Sequence, residues 1–131
     1  MTSKAFVVSD LNELFALHRV FREAKFCVQP DDVEISPSPI VARLFERVMD
    51  AIISADVEEQ GEKARAGWER WLNMDDEARD EWSAALLRAR SEPDWQKFSE
   101  TRRREYVTVL FIPFKLSTEK IDRFISQVAD R

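Results

Sequence analysis

The residue types that most often carry enzyme chemistry are scarce in this chain of 131 residues. His18 is the only histidine, Cys27 is the only cysteine, and Gly61 and Gly67 are the only glycines. A histidine beside a cysteine can act as a nucleophile–base pair, and these two lie on either side of a predicted helix end. Their neighbours are largely apolar, which favours structural roles and places Cys27 in the core. We therefore expect a protein that is not an enzyme and needs no cofactor.

Carboxylates are the one plentiful chemical group, and they concentrate in one segment. Residues 56–81 contain ten acidic and four basic residues, in a chain whose net charge is −5. Those predicted to face outward are Glu58, Glu62, Glu69, Asp76, Glu77, Asp80 and Glu81. The first three would form one column of a helix, and the other four would lie opposite Trp82 on the next helix.

Three interpretations of this acidic segment differ in function. The first is a solvated helix face, the second is a surface that attracts a basic partner, and the third is a carboxylate metal site. The Glu-x-x-His pairs of di-metal helical bundles and the calcium-loop pattern are both absent, so we expect no metal. Leu87 favours the docking surface, because its helical angle places it outward between Asp76 and Asp80, like a small apolar interface centre with a charged rim.

Aromatic and basic clusters offer two further candidates. The four tryptophans, which are enriched at interfaces, sit at core spacing, so packing is their simplest role; they are Trp68, Trp71, Trp82 and Trp95. Arg102, Arg103 and Arg104 form a basic run, but Glu100 and Glu105 bracket it. We expect no nucleic-acid binding, because that would require a larger basic face.

The elements that must position these residues are mostly helices. Capping and periodicity predict helices from Asp10 to about Lys25, from Pro39 to about Ala55, over Val57–Asn73 and over Asp76–Arg90. They predict a fifth helix that begins at Pro93 and buries Trp95 and Phe98, and a last helix after Ser117. Short apolar runs predict strands at Ala5–Val8 and Tyr106–Phe114 and a hairpin of Phe26–Val28 with Val33–Ser36. The fold class is therefore mainly α, a compact bundle of five to six helices with room for a small two- or three-stranded sheet (α+β).

Two of these helices have distinctive apolar faces. The Ile40–Ile53 stretch is apolar over more than half its circumference, so we expect it to be the most buried element, with Leu44 in the core. The Val57–Asn73 helix carries only a narrow seam, in which Gly61 and Ala64 would allow a neighbouring helix to approach closely. A narrow seam of this kind is also compatible with pairing to a second copy.

Length and composition bound the remaining expectations. The length suits one domain, residues 1–131. We expect neither a membrane span nor a signal peptide, because no apolar stretch has the required length and flanks. The single cysteine cannot form an internal disulfide, which suits the reducing cytoplasm. We expect a noncatalytic protein-binding domain that docks a basic partner; small acidic inhibitors such as immunity proteins share this general character. The alternative is a self-associating structural or chaperone-like helical protein, and a carboxylate-based enzyme is a third class.

Overall fold

The computed structural model describes residues 4–130 as a bundle of helices. In chain order these are α1 (Leu11–Lys25), α2 (Pro39–Gln60), α3 (Lys63–Leu72), α4 (Asp80–Arg90), α5 (Glu100–Phe111) and α6 (Thr118–Ala129), with a 3₁₀ turn at Trp95–Lys97 before α5. The mainly α fold class is therefore confirmed. The ends of the predicted domain, residues 1–3 and 131, lie outside the described residues.

The predicted sheet is wrong: between residues 4 and 130 there is no β-strand, and the only β-type pairing is an isolated parallel bridge between Asn73 and Lys115. Ala5–Val8 has no regular secondary structure, and Phe6 is 89% exposed. Residues 26–38 form consecutive turns rather than a hairpin.

Most of the strand predicted at Tyr106–Phe114 is part of α5, which ends at Phe111. Its buried residues Tyr106, Val107, Leu110 and Phe111 recur at the spacing of one helical face. The N–H of Arg102 donates to Ser99 Oγ at 3.1 Å, which caps the helix. Packing of this face outweighs the preference of valine and threonine for strands.

Side-chain caps fix three of the predicted helix starts. Asp10 accepts the N–H of Glu13 at 3.0 Å, and Ser38 and Ser117 accept N–H groups at the starts of α2 and α6. The predicted start of α4 is wrong. The carboxylate of Asp76 accepts the N–H of Ala78 in a separate turn, and the helix begins at Asp80.

The helix predicted over Val57–Asn73 is in fact the end of α2 followed by α3. Gly61 lies between them with φ of +87°, a conformation that favours glycine. Its N–H donates to the carbonyl of Val57 at 2.7 Å and ends α2. The chain changes direction at Gly61. Because Gly61 is exposed, it is not the point of close helix approach that the sequence predicts.

The helices form two groups of three that share one core. α2 packs against α1 and α3, whereas α4, α5 and α6 pack against one another, and α2 contacts α5. The centre of the second group is aromatic: Trp82, Phe111 and Phe124 have ring centroids 5.0–5.4 Å apart. Among the described residues, no helix has the length and apolar composition needed to cross a membrane.

Burial of α2 is less complete than its sequence predicts. Phe45, Met49 and Ile52 are fully buried, but Ile40 is 62% exposed and Leu44 is 41% exposed. The expectation that Leu44 lies in the core is therefore wrong. The apolar arc at the start of α2 is wider than the surface that neighbouring elements cover.

Candidate functional site

His18 and Cys27 line different grooves, so the structure does not bring them together as a nucleophile and its base. The ring of His18 packs against Phe45 and Trp71, with centroids 5.8 and 5.3 Å apart. Burial, and secondly the charge of Arg22, lowers the pKa of the imidazole. His18 is thus a neutral, mostly structural ring at pH 7, and its buried Nδ1 has no hydrogen-bond partner among residues 4–130.

Cys27 is half-buried and does not belong to the core, contrary to expectation. It lies two residues beyond α1, in a groove of about 520 Å³ between the end of α1 and the start of α4. Arg22 and Glu81 also line this groove and form an ion pair at 3.3 Å. Cys27 is therefore part of the wall of this groove.

The column expected from Glu58, Glu62 and Glu69 is divided between two helices. Glu58 lies near the end of α2, Glu62 stands at the start of α3, and Glu69 lies within α3. All three are exposed, and Glu62 pairs with Arg65 at 3.1 Å. Because Gly61 redirects the chain, these carboxylates do not follow one helical column.

Two of the four carboxylates expected on the side of the helix opposite Trp82 are engaged in pairs within the molecule. Glu81 is buried, 4% exposed, and pairs with both Arg22 and Arg79. Burial by itself raises the pKa of Glu81, but its own backbone N–H and the two arginines together lower it. Its predicted outward orientation is wrong.

Glu77 is the second engaged carboxylate, and it joins the α3–α4 connection to α6. Its oxygens accept from Lys120 at 2.9 Å, Gln127 at 2.7 Å and Arg123 at 3.4 Å. The hydrogen bond from Lys120 is the largest of the contributions that lower the pKa of Glu77. Asp76 and Asp80, in contrast, are exposed.

Leu87 faces outward as predicted, with 49% of its surface exposed. It shares its stripe of α4 with Asp80 and Ser83, so serine as well as aspartate borders it. Asp76 precedes the helix and does not belong to that stripe.

Two exposed valines of the 26–38 segment lie along the same edge of α4. Val28 and Ser83 line one groove. The carbonyl of Val33 accepts from Arg88 Nε at 2.9 Å, next to Leu87 in the chain. Val28 is 59% exposed and Val33 is 48% exposed. We call Val28, Val33, Asp80 and Leu87 the α4–loop surface. Sequence reasoning missed the valines because it assigned them to a hairpin.

The segment that carries these valines is acidic. Residues 28–34 include Asp31, Asp32 and Glu34 and no basic residue, and all three carboxylates are exposed. The nearby Arg88 does not offset this charge, because its guanidinium pairs with Glu92 at 2.8 Å. The α4–loop surface thus combines exposed apolar side chains with acidic ones, and the exposed Arg19, which lines the same groove as Val28 and Asp80, is a basic residue beside it.

The remaining aromatic and basic residues have mostly internal roles. Trp82 and Trp95 are buried, and Trp68 and Trp71 are half-buried. Arg103 donates to the carbonyl of Trp95 at 3.1 Å, and Arg104 pairs with Asp122 and Glu100. Residues 4–130 contain no group of three or more histidine, cysteine or acidic side chains placed to hold a metal ion.

Comparison of the chain with protein-family models, with curated protein sequences and with solved structures finds no match.

Proposed function

We propose that this protein is a noncatalytic protein-binding domain that docks a basic partner on the α4–loop surface. The observation that carries the proposal is the exposure of Leu87 on α4, with Val28 and Val33 also exposed in the segment that contacts this helix through Ser83 and Arg88. Exposed apolar side chains of this kind supply contact area at the centre of an interface, and a charged rim supplies steering. A small acidic inhibitor, of which immunity proteins are examples, is the class that we favour, acting in the cytoplasm.

The acidic residues of the interface are fewer than the sequence suggests. Asp80 and the carboxylates of residues 28–34 are free to attract a basic partner, and the exposed Asp76 lies near the start of the same helix. Glu77 and Glu81 already pair with basic side chains, so docking through them would require those pairs to break. Glu58, Glu62 and Glu69 contribute only to the long-range field.

Site-specific photo-crosslinking in the native host tests the location of this surface. We expect a photoreactive residue at Ser83 to capture a basic protein that the same residue at Ser54, which is exposed on α2, does not capture. Equal capture from both positions would contradict the proposal. Light scattering of the purified protein tests the alternative of self-association, and a stable dimer that buries Leu87 would support that alternative instead.

Rates measured with the captured partner test the proposed roles. Leu87→Ala should speed dissociation, whereas Leu44→Ala, a comparably exposed leucine on α2, should not. Asp80→Lys should slow association and weaken its dependence on salt, whereas Asp50→Lys on α2 should do neither. Unaltered rates for both α4 variants would overturn the proposal.

A further inference from the structure

An aromatic groove separates α1 from α3 and is distinct from the α4–loop surface. It has a volume of about 520 Å³ and is lined by Phe15 and His18 on one side and by Gly67, Trp68 and Trp71 on the other. The rings of Trp68 and Trp71 meet at an angle of 87°, with centroids 5.9 Å apart. Two perpendicular indole rings form a corner that offers a ring face to a ligand.

A carboxylate is held at this corner. Asp56 of α2 lines the groove, and its Oδ2 accepts the indole N–H of Trp68 at 2.8 Å. Asp56 is half-buried, and among residues 4–130 no lysine or arginine pairs with it. The groove therefore holds an oriented carboxylate to which the described part of the chain supplies no counter-ion.

Positive charges near the groove do not neutralise Asp56. Arg22 lines the groove but directs its guanidinium to Glu81, and Arg65 pairs with Glu62. The burial that lowers the pKa of His18 leaves the imidazole uncharged at pH 7. Arg70 does not line the groove, although a guanidinium nitrogen lies 3.8 Å from where a Cβ on Gly67 would stand, and within residues 4–130 no ion pair joins Arg70 to Asp56.

The same fold places an arginine over several of its aromatic rings, including Trp71 of this groove. The guanidinium carbon of Arg79 lies 4.5 Å from the centroid of Phe114 and 5.5 Å from that of Trp71. The guanidinium carbon of Arg103 lies 5.3 Å from Trp95, and that of Arg102 lies 4.9 Å from Phe98. Within the described residues, no cation lies over the half-buried Trp68. A guanidinium suits this place because it stacks on indole and donates in pairs to a carboxylate.

We propose that the α1–α3 groove binds an arginine side chain of a partner polypeptide, with the guanidinium stacked on Trp68 and hydrogen-bonded to Asp56. The charge and the planar ring identify the ligand as a guanidinium. The open groove suits a side chain presented by another chain. This inference rests on the proposed function in one respect, which is that the arginine belongs to a partner protein.

Titration with a short peptide tests the site without knowledge of the partner. We expect acetyl-Gly-Arg-Gly-amide to shift the indole N–H resonance of Trp68, which Trp68→Phe assigns. The citrulline peptide has the same shape without the charge and should bind at least about tenfold more weakly. Equal affinity for the two peptides, or no shift with the arginine peptide, would overturn the proposal.

Two variants separate this site from general charge attraction. Asp56→Asn should lower the affinity for the arginine peptide about tenfold, whereas Asp50→Asn, elsewhere on α2, should leave it unchanged. Gly67→Leu should block binding by filling the groove while both Asp56 and Trp68 remain, and it decides the matter if Asp56→Asn does not fold. Unchanged affinity in Gly67→Leu would refute the site.

The α4–loop variant keeps the two proposals independent. Leu87→Ala should bind the arginine peptide as the unmodified protein does, because Leu87 does not line the α1–α3 groove. Loss of peptide binding in Leu87→Ala would assign the peptide to the α4–loop surface and overturn the groove assignment alone.

Discussion

Lys25 is the residue whose surroundings are least ordinary for its type. It is 2% exposed, and its Nζ donates to the carbonyls of Ser36, Val109 and Leu110 at 2.7–3.2 Å. In return, Ser36 Oγ donates to the carbonyl of Lys25 at 2.6 Å. One side chain thus joins the end of α1, the connection before α2 and the end of α5, where the helix dipole also favours a cation.

Replacing Lys25 with methionine should destabilise the protein by about 2 kcal/mol at pH 7, because three buried carbonyls lose their donor. Urea unfolding of the two proteins measures this difference. Ser36→Ala, which removes only one hydroxyl from the same cluster, should cost about 1 kcal/mol. A Lys25→Met variant as stable as the original would show that burial of the ammonium costs as much as its hydrogen bonds contribute.

The pH dependence of this difference follows from the pKa of Lys25. Burial lowers that pKa to about 7, against the attraction of Glu46, which raises it. In the unfolded chain the pKa of Lys25 is about 10.4. Between about pH 7 and that value, the unfolded chain therefore binds more protons than the folded one, and the free energy of unfolding rises with pH. The stability gap between the original protein and Lys25→Met should widen from about pH 7 to about pH 9. A constant gap would mean that the three carbonyls keep the ammonium charged throughout.

At the scale of the element, α2 shows how adjacent apolar residues on one helix differ in burial. Phe45 is fully buried against Phe21, with ring centroids 5.3 Å apart, whereas the preceding Leu44 is 41% exposed. Helical periodicity predicts an apolar arc that contains both, but only the neighbouring helices determine which part of that arc is covered.

Truncating these two neighbours should therefore have unequal effects. Phe45→Ala should lower the free energy of unfolding by about 3–5 kcal/mol, because it leaves a cavity among fixed neighbours. Leu44→Ala should lower it by less than about 1 kcal/mol, the range of a surface change. Thermal or urea unfolding measures both, and a large loss for Leu44→Ala would place the start of α2 inside the core.

Alanine substitutions at the two glycines test whether Gly61 forms the break between α2 and α3. Gly61→Ala should destabilise the protein by about 1 kcal/mol, because alanine is strained at φ of +87°. Gly67→Ala should instead stabilise it by about 0.5–1 kcal/mol, because Gly67 lies inside α3 and its nearest neighbour would be 3.8 Å from the new Cβ. Effects of the same sign in urea unfolding would contradict the assignment of Gly61 as the helix break.

At the scale of the whole molecule, Glu77 ties the α3–α4 connection to the second helical group. It contacts Lys120 and Gln127 of α6, and Gln127 Oε1 accepts the indole N–H of the buried Trp82 at 2.8 Å. A carboxylate at the surface is thereby linked to the aromatic core of α4, α5 and α6. Loss of its charge should weaken the contact between that connection and α6.

The lowered pKa of Glu77 makes this link dependent on pH. A carboxyl whose pKa is lower in the folded state stabilises the protein above its unfolded pKa, and this contribution disappears as the pH falls through the folded pKa. Glu77→Gln should therefore be less stable than the original protein at pH 7, and the two should converge as the pH falls below the usual pKa range of a glutamate. Glu119→Gln, an exposed carboxylate on α6, serves as the control. Curves for the original protein and Glu77→Gln that stay parallel over this range would contradict the role of the charge.

The sequence alone determined the helical class and several helix starts of this protein. The signals were local: Asp10, Ser38 and Ser117 cap the turns that follow them, and the stripe of α6 repeats at helical spacing. The outward position of Leu87 was also predictable, because it follows from helical angle within one element.

Only the tertiary structure decided which of these faces are covered. Glu81 and Lys25 are buried because each pairs with groups that are distant in the chain. Local spacing cannot predict that Arg22 lies beside Glu81 or that the end of α5 lies beside Lys25. For the same reason the α4–loop surface and the α1–α3 groove could not be predicted, since each is formed by elements separated in sequence. Capping and periodicity act within a few residues, whereas burial and charge pairing depend on how the whole chain packs.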